Sequence, residues 1–218
     1  MVMTVMRIAR FGALALVSAV AATPVRGAAQ TGSVSARGAA AVVTTALGTQ
    51  LFAASTLPDL GGMADSELSS IAVQNLLTAG GLTSITTGQI DGTLVSATTT
   101  AEAADVNLLG GLITARTAVA VTTSYVNGGG AASEATGSTL LGLVINGLSY
   151  GDVSPAANTR VDLPGVGYVI LNEQIPTGDG VRSTGLTVNL IHAYLIDPSL
   201  GTVTGDIVVG MARSAASF

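Results

Sequence analysis

From about Ser84 onward the chain alternates apolar and polar residues with a period of two, the spacing that sends successive side chains to opposite faces of a β-strand. Within residues 113–124 one face reads Ile113, Ala115, Thr117, Val119, Val121 and the other Thr114, Arg116, Ala118, Ala120, Thr122. Within residues 186–196 one face collects Leu186, Val188, Leu190, His192, Tyr194 and Ile196. Further strands are predicted over residues 140–150, 159–163, 166–172 and 203–213. Turn signals separate them: Asn127 before three glycines, Asn146-Gly147, Gly151-Asp152, Pro164-Gly165, Gly178-Asp179-Gly180 and Asp197-Pro198. Short strands at this spacing, without helical crossovers, predict an all-β fold, an antiparallel β-sandwich of jelly-roll or Greek-key type.

Residues 66–78 are ambiguous. Leu68, Ile71, Ala72 and Leu76 recur at helical spacing, with Asp65 or Ser66 to cap the start and Gly80 to end it. Their place in a β-rich chain favours a strand. Residues 83–104, rich in Thr, Ala and Ser, suit an edge or surface strand whose hydroxyls face water. Residues 128–137 read as a flexible loop, and no repeat or linker divides the chain, so one domain over residues 30–218 is expected.

Charged residues make up 10% of the chain, against roughly 25% in ordinary soluble domains. There is no lysine and the formal charge is −5, so nucleic acid is not an expected partner and anionic lipid attracts the chain little. Without cysteine, neither disulfides nor thiolate chemistry are expected. So few charges suggest assembly, a wall or matrix setting, or simply an alanine-rich host. Aromatics are only 3%, with tyrosine at 125, 150, 168 and 194, which argues against the aromatic girdles of a membrane β-barrel.

The first 29 residues add a compartment. Arg7 and Arg10 precede an apolar run over residues 11–22, followed by Pro24 and the small residues Gly27, Ala28 and Ala29. This order is that of a helical secretory signal peptide, and its apolar run is too short to span about 30 Å of hydrocarbon. A mature chain with no transmembrane segment is expected, secreted to the extracellular space or the cell surface. Losing Arg7, Arg10 and Arg26 with no acid makes it more acidic by three charges.

Candidate chemistry is sparse. His192 is the only histidine and shares its predicted face with Leu190 and Tyr194, the setting of a packed core histidine rather than a triad member. With one histidine and no cysteine, a zinc or copper site is not expected. Asp152, Asp162, Glu173, Asp179, Asp197 and Asp206 are scattered, mostly beside Gly or Pro, and read as turn formers rather than a glycosidase pair. Asp179 and Asp197 are loop acids, but no calcium-loop series surrounds them. The glycine pairs lack the lysine and helix of a phosphate loop. No catalytic residue, metal or cofactor is therefore assigned.

Several segments in order carry a family resemblance. These are Ala104-Asp-Val-Asn-Leu-Leu-Gly-Gly-Leu-Ile-Thr-Ala115, Gly142-Leu-Val-Ile-Asn-Gly147, Asn158-Thr-Arg-Val-Asp-Leu-Pro-Gly-Val-Gly167, Val169-Ile-Leu-Asn-Glu-Gln174, Leu186-Thr-Val-Asn-Leu-Ile-His192 and Gly205-Asp-Ile-Val-Val-Gly210. Over about residues 65–215 the chain resembles the choice-of-anchor P proteins of bacteria. The resemblance implies a β-rich extracellular or cell-surface domain with no catalytic residue. No attachment signal is legible at the C-terminus, which favours release or non-covalent retention.

Within that block Asn158, Asn172, Glu173 and Gln174 form the candidate site. They read first as residues that satisfy turn and loop backbone, with Pro164-Gly165 as a tight corner, and second as a ligand site. The expectation is a non-catalytic exported module serving envelope structure, assembly or adhesion. Its partners would be other copies of itself or cell-envelope polymers. A carbohydrate-binding module and, further off, a secreted hydrolase are the alternatives. Fractionation of the source cells with N-terminal sequencing is expected to find a chain beginning at Ala28 or Gln30 outside the cytoplasm; an uncleaved intracellular chain would contradict the leader.

Overall fold

The computed structural model describes residues 32–218, so the expected signal peptide lies outside the described residues. The strands are β1 (Ser33–Thr45), β2 (Gly48–Thr56), β3 (Gly62–Val73), β4 (Leu77–Ile90), β5 (Leu94–Leu108), β6 (Ile113–Asn127) and β7 (Gly130–Glu134). They continue with β8 (Thr139–Ile145), β9 (Leu148–Val153), β10 (Thr159–Leu163), β11 (Gly167–Gly178), β12 (Ser183–Ile196) and β13 (Val203–Ser217). A 3-10 turn at Leu109–Gly111 joins β5 to β6.

Two antiparallel sheets pack face to face. Sheet A runs β10-β11-β12-β13-β1-β2, and sheet B runs β3-β4-β5-β6-β8-β9 with β7 also on β6. Strands adjacent in sequence pair through short turns. Both sheets are therefore largely meanders, not the jelly-roll or Greek-key connections expected, and β13 beside β1 joins the two ends of the described chain.

The ambiguous stretch is strand: β3 ends at Val73 and turns into β4. Three expectations need correction. Residues 130–134 form β7, not loop. Strands β1 and β2 lie before the alternation begins. The Thr/Ala-rich β4 and β5 are interior strands, and their Ser84, Thr86 and Thr99 are buried instead of facing water.

That inward placement follows from how closely the sheets approach. Cα atoms of β13 come within 8 Å of those of β5 and β6, and Cα atoms of β1 within 8 Å of those of β4 and β5. Ordinary face-to-face sheets stand about 10 Å apart. Only small side chains fit between, and the facing positions carry them: Ala36, Gly38 and Ala40 on β1, Ala101 and Ala103 on β5, Ala118 and Ala120 on β6, Ala212 and Ser214 on β13. A Cβ on Gly38 would collide with the Ser84 hydroxyl and lie 2.9 Å from the Thr99 methyl.

Hydroxyls in this thin layer bond from sheet to sheet. Thr99 Oγ1 donates to the Arg213 carbonyl at 2.7 Å, Ser55 and Ser84 share a bond of 2.7 Å, and Ser124 meets the Ser214 hydroxyl at 2.8 Å. Larger residues such as Leu77, Leu108, Ile113, Leu143 and Ile191 fill the end beyond it.

A transverse seam crosses each sheet. In sheet A it passes through Ala53 on β2, Ala40 on β1, Gly210 on β13, Leu190 on β12 and Asn172 on β11, the positions skipped between paired neighbours. Ala53, Gly210 and Asn172 take positive φ of 46°, 72° and 49°. At the seam two consecutive residues point inward, as Leu190 and Ile191 do, and the alternation then resumes with the faces exchanged. In sheet B the seam passes through Gly81, Asp105, Arg116 and Gly142, where two consecutive residues point outward. At the sheet A seam the layers meet closely: a Cβ on Gly210 would lie 3.1 Å from that of Ala120. Gly38→Ala is expected to destabilise the fold by about 1–3 kcal/mol through overpacking, measured by urea denaturation. Adding Ser84→Ala should recover part of the loss, and a Gly38→Ala protein as stable as wild type would refute the tight spacing.

Candidate functional site

The seam decides where the polar side chains gather. Because Leu190 and Ile191 both point inward, Asn189 and His192 become neighbours on the outer face of sheet A. Leu171 and Asn172 do the same on β11 and set Glu173 beside Asn189, its register partner. Flanking side chains converge over the resulting trough, which also holds Ala39, Val42, Val208 and Met211. His192 is 9% exposed and Ala39 fully buried, although both lie on the outer face. This corrects the predicted face: past the seam His192 parts from Leu190 and shares the outer side with Tyr194.

Glu173 is the hub of this cluster. Its Oε2 accepts from His192 Nδ1 at 2.6 Å and Asn189 Nδ2 at 2.7 Å, and its Oε1 accepts from Tyr194 Oη at 2.8 Å. Burial opposes the negative charge. The three hydrogen bonds and the attraction of the imidazole outweigh it and hold the carboxyl below its ordinary range. Burial, then the bond to Glu173, pushes the Tyr194 phenol well above its usual value. A carboxylate acceptor at Nδ1 fixes that nitrogen as the protonated one. His192 Nε2 is buried without a hydrogen bond, and Asp206 Oδ1 stands 3.4 Å away.

Rings stack in a row beside it. Arg160 lies 3.8 Å from the Tyr168 ring centroid, Tyr168 stacks on Tyr194 at 4.7 Å, and Tyr194 on His192 at 4.0 Å. Tyr194 thus stacks against both Tyr168 and His192. Asn189 and Tyr168 were not singled out in the sequence, and Asp206, expected in a turn, lies within β13 beside His192. The signal was the pair of polar residues at 189 and 192, whose spacing of three breaks the period of two.

Of the four candidate residues, Asn158, Asn172 and Gln174 come together, while Glu173 belongs to the outer-face cluster. Asn158 takes φ 60° and donates its N–H to the Asn172 carbonyl, while its Oδ1 accepts from Gln174 N at 2.9 Å. Asn172 Nδ2 donates to the Pro155 carbonyl at 2.8 Å, and Gln174 Nε2 donates to Asn172 Oδ1 at 3.2 Å. Asn158 therefore bridges from the loop to β11 instead of folding back on its own turn. Pro164-Gly165 makes the expected corner, closed by Val166 N–H on the Leu163 carbonyl.

The remaining acids serve structure. Asp179 accepts N–H groups of Val181, Ser183 and Arg182, which hold it below the usual carboxylate range. Asp197 accepts from Ser199 and Leu200. Asp152 accepts from Gly142 N at the seam and pairs with Arg116, and Asp162 pairs with Arg160. Asp91, unremarked in the sequence, is lowered to about 2 by backbone N–H groups of Thr93 and Leu94.

Comparison with known protein families, with curated proteins and with solved structures returns no significant match to this chain.

Chemically the Glu173 cluster is closed on itself: both carboxylate oxygens are occupied and the group is held ionised, the reverse of a general acid. Ionised Glu173 stabilises the fold above the ordinary glutamate range, and that contribution disappears as pH falls through its depressed value. Glu173→Gln is expected to cost about 2 kcal/mol at neutral pH, with the gap from wild type narrowing in acid. An unchanged gap in urea melts at neutral and acid pH would contradict this.

Proposed function

We propose that this protein is an exported, non-catalytic structural module of the bacterial cell surface that assembles side by side with further copies of itself. The signal-peptide pattern supports export, and the resemblance to choice-of-anchor P proteins supports a surface setting. The unequal treatment of the sheet edges carries the reading.

On one side the edges are short and blunted. There β7, β9 and β10 are five or six residues long. Asn146 Nδ2 bonds the Asp162 carbonyl across from sheet B to sheet A. Where β10 stops covering β11, Asn158 occupies Gln174 N–H, and Pro176, two residues on, has none to offer.

On the other side the edges are β2, nine residues, and β3, twelve residues. Neither carries Pro, Lys or Arg, and the only charges on them are Asp65 and Glu67 of β3. Leu47, Leu51, Leu60, Met63 and Leu68 are exposed on these strands and their turns. An uncovered strand of this length accepts another strand, and a surface with so few charges does not repel a copy of itself.

Sedimentation velocity of the mature chain is expected to show dimers or larger species at high concentration. Met63→Lys with Leu68→Lys should return it to monomer without changing the melting temperature, whereas Leu148→Lys on the exposed face of β9 should leave assembly intact. A wild-type chain that stays monomeric at high concentration refutes the proposal.

A further inference from the structure

The sandwich is open at one corner, independent of the β2 and β3 side. Past Asn172 the outer edge of β11 has no strand beside it, because β10 pairs only with Gly167–Leu171. Between this edge and β7 of the other sheet lies a groove of about 660 Å³, within the 300–1,000 Å³ of small-ligand sites. Asn158 and Gln174 line it, with Ser133, Thr177, Asp179 and the small Gly185.

The orientation of the two amides follows from the backbone. The Pro155 carbonyl requires Nδ2 of Asn172, so Asn172 offers Oδ1 to its neighbour, and Gln174 must meet it with Nε2. That leaves Gln174 Oε1 without a protein partner among the described residues. Gln174 N–H requires Oδ1 of Asn158, which leaves Asn158 Nδ2 likewise unengaged. Each side chain is pinned by one atom and presents the other, a fixed donor beside a fixed acceptor. Asp179 uses Oδ1 for its turn, and no protein partner takes Oδ2.

We propose that this groove binds a neutral saccharide segment, with Asn158 Nδ2 and Gln174 Oε1 as its hydroxyl-reading pair. Sugar hydroxyls donate and accept at once and match a pinned donor–acceptor pair. No basic side chain lines the groove, so phosphate and carboxylate ligands lack a counter-charge. Pro176 interrupts the β11 edge, so an extended peptide cannot add a regular ladder there. The lining has no aromatic ring among the described residues, so recognition rests on the polar pair.

The test is an NMR titration of the mature chain with maltohexaose, cellohexaose and the hexamer of N-acetylglucosamine, following the side-chain amide signals of Asn158 and Gln174. At least one glycan is expected to shift both. Asn158→Asp keeps the acceptor for Gln174 N–H and removes the free donor, so binding should weaken about two- to tenfold, the effect of one hydrogen bond, with the melting temperature unchanged. Absence of shifts with all three glycans overturns the proposal, as do shifts confined to other residues, or unaltered binding by a folded Asn158→Asp protein. An uncharged extended peptide that shifts the two amides when the glycans do not overturns the ligand class.

Discussion

The separation of the two sheets governs the rest of this molecule. Strands of opposite sheets approach within 8 Å, and at that distance a leucine on either inner face has nowhere to go. Ala36, Gly38, Ala40, Ala101, Ala118, Ala120 and Ala212 are consequences of that spacing. So are the buried serines and threonines, small enough to fit and able to bond across the gap, as Thr99 does to Arg213 and Ser124 to Ser214. A composition that reads as bland in the sequence is the composition a thin interior demands. Small side chains bury little apolar area each, and long strands with sheet-to-sheet hydroxyl bonds supply the remainder of the cohesion.

Close sheets must also bend together. At the seam of sheet A the backbone comes close to the opposite layer, with the Cβ position of Gly210 3.1 Å from the buried Ala120 of β6. The seam has a second consequence on the outer face of sheet A. By taking two neighbours inward on β11 and on β12, it draws Glu173, Asn189 and His192 into one cluster with no covering layer over them. Glu173 then remains ionised in a half-buried setting because three donors surround it. An arrangement that resembles half of a catalytic triad on paper is a hydrogen-bonded brace across two strands.

The polar groups therefore divide by task. Asp91, Asp179 and Asp197 close turns, Asp152 supports the seam of sheet B, and Glu173 braces sheet A. What stays open is positional: two long edges on one side, and on the other a corner groove where amides pinned by the backbone leave a donor and an acceptor free. These two features are the ones on which the proposed self-assembly and glycan binding rest.

Strand class, most turn positions and the turn role of Asp179 and Asp197 were legible in the sequence, because these depend on backbone conformation within a few residues. Three things were not. Strand β1 escaped because residues 39–43 are buried on both faces, which breaks the alternation there. The inward direction of Ser84, Thr86 and Thr99 escaped because a threonine tolerates either face until the spacing between sheets is known. The place of His192 escaped because a period of two, extended across Leu190 and Ile191, assigns every later residue to the wrong side. Local chemistry decided the turns and strands; the distance between the sheets and the seam that crosses them decided which face each residue took, since both arise from contacts between segments far apart in the chain.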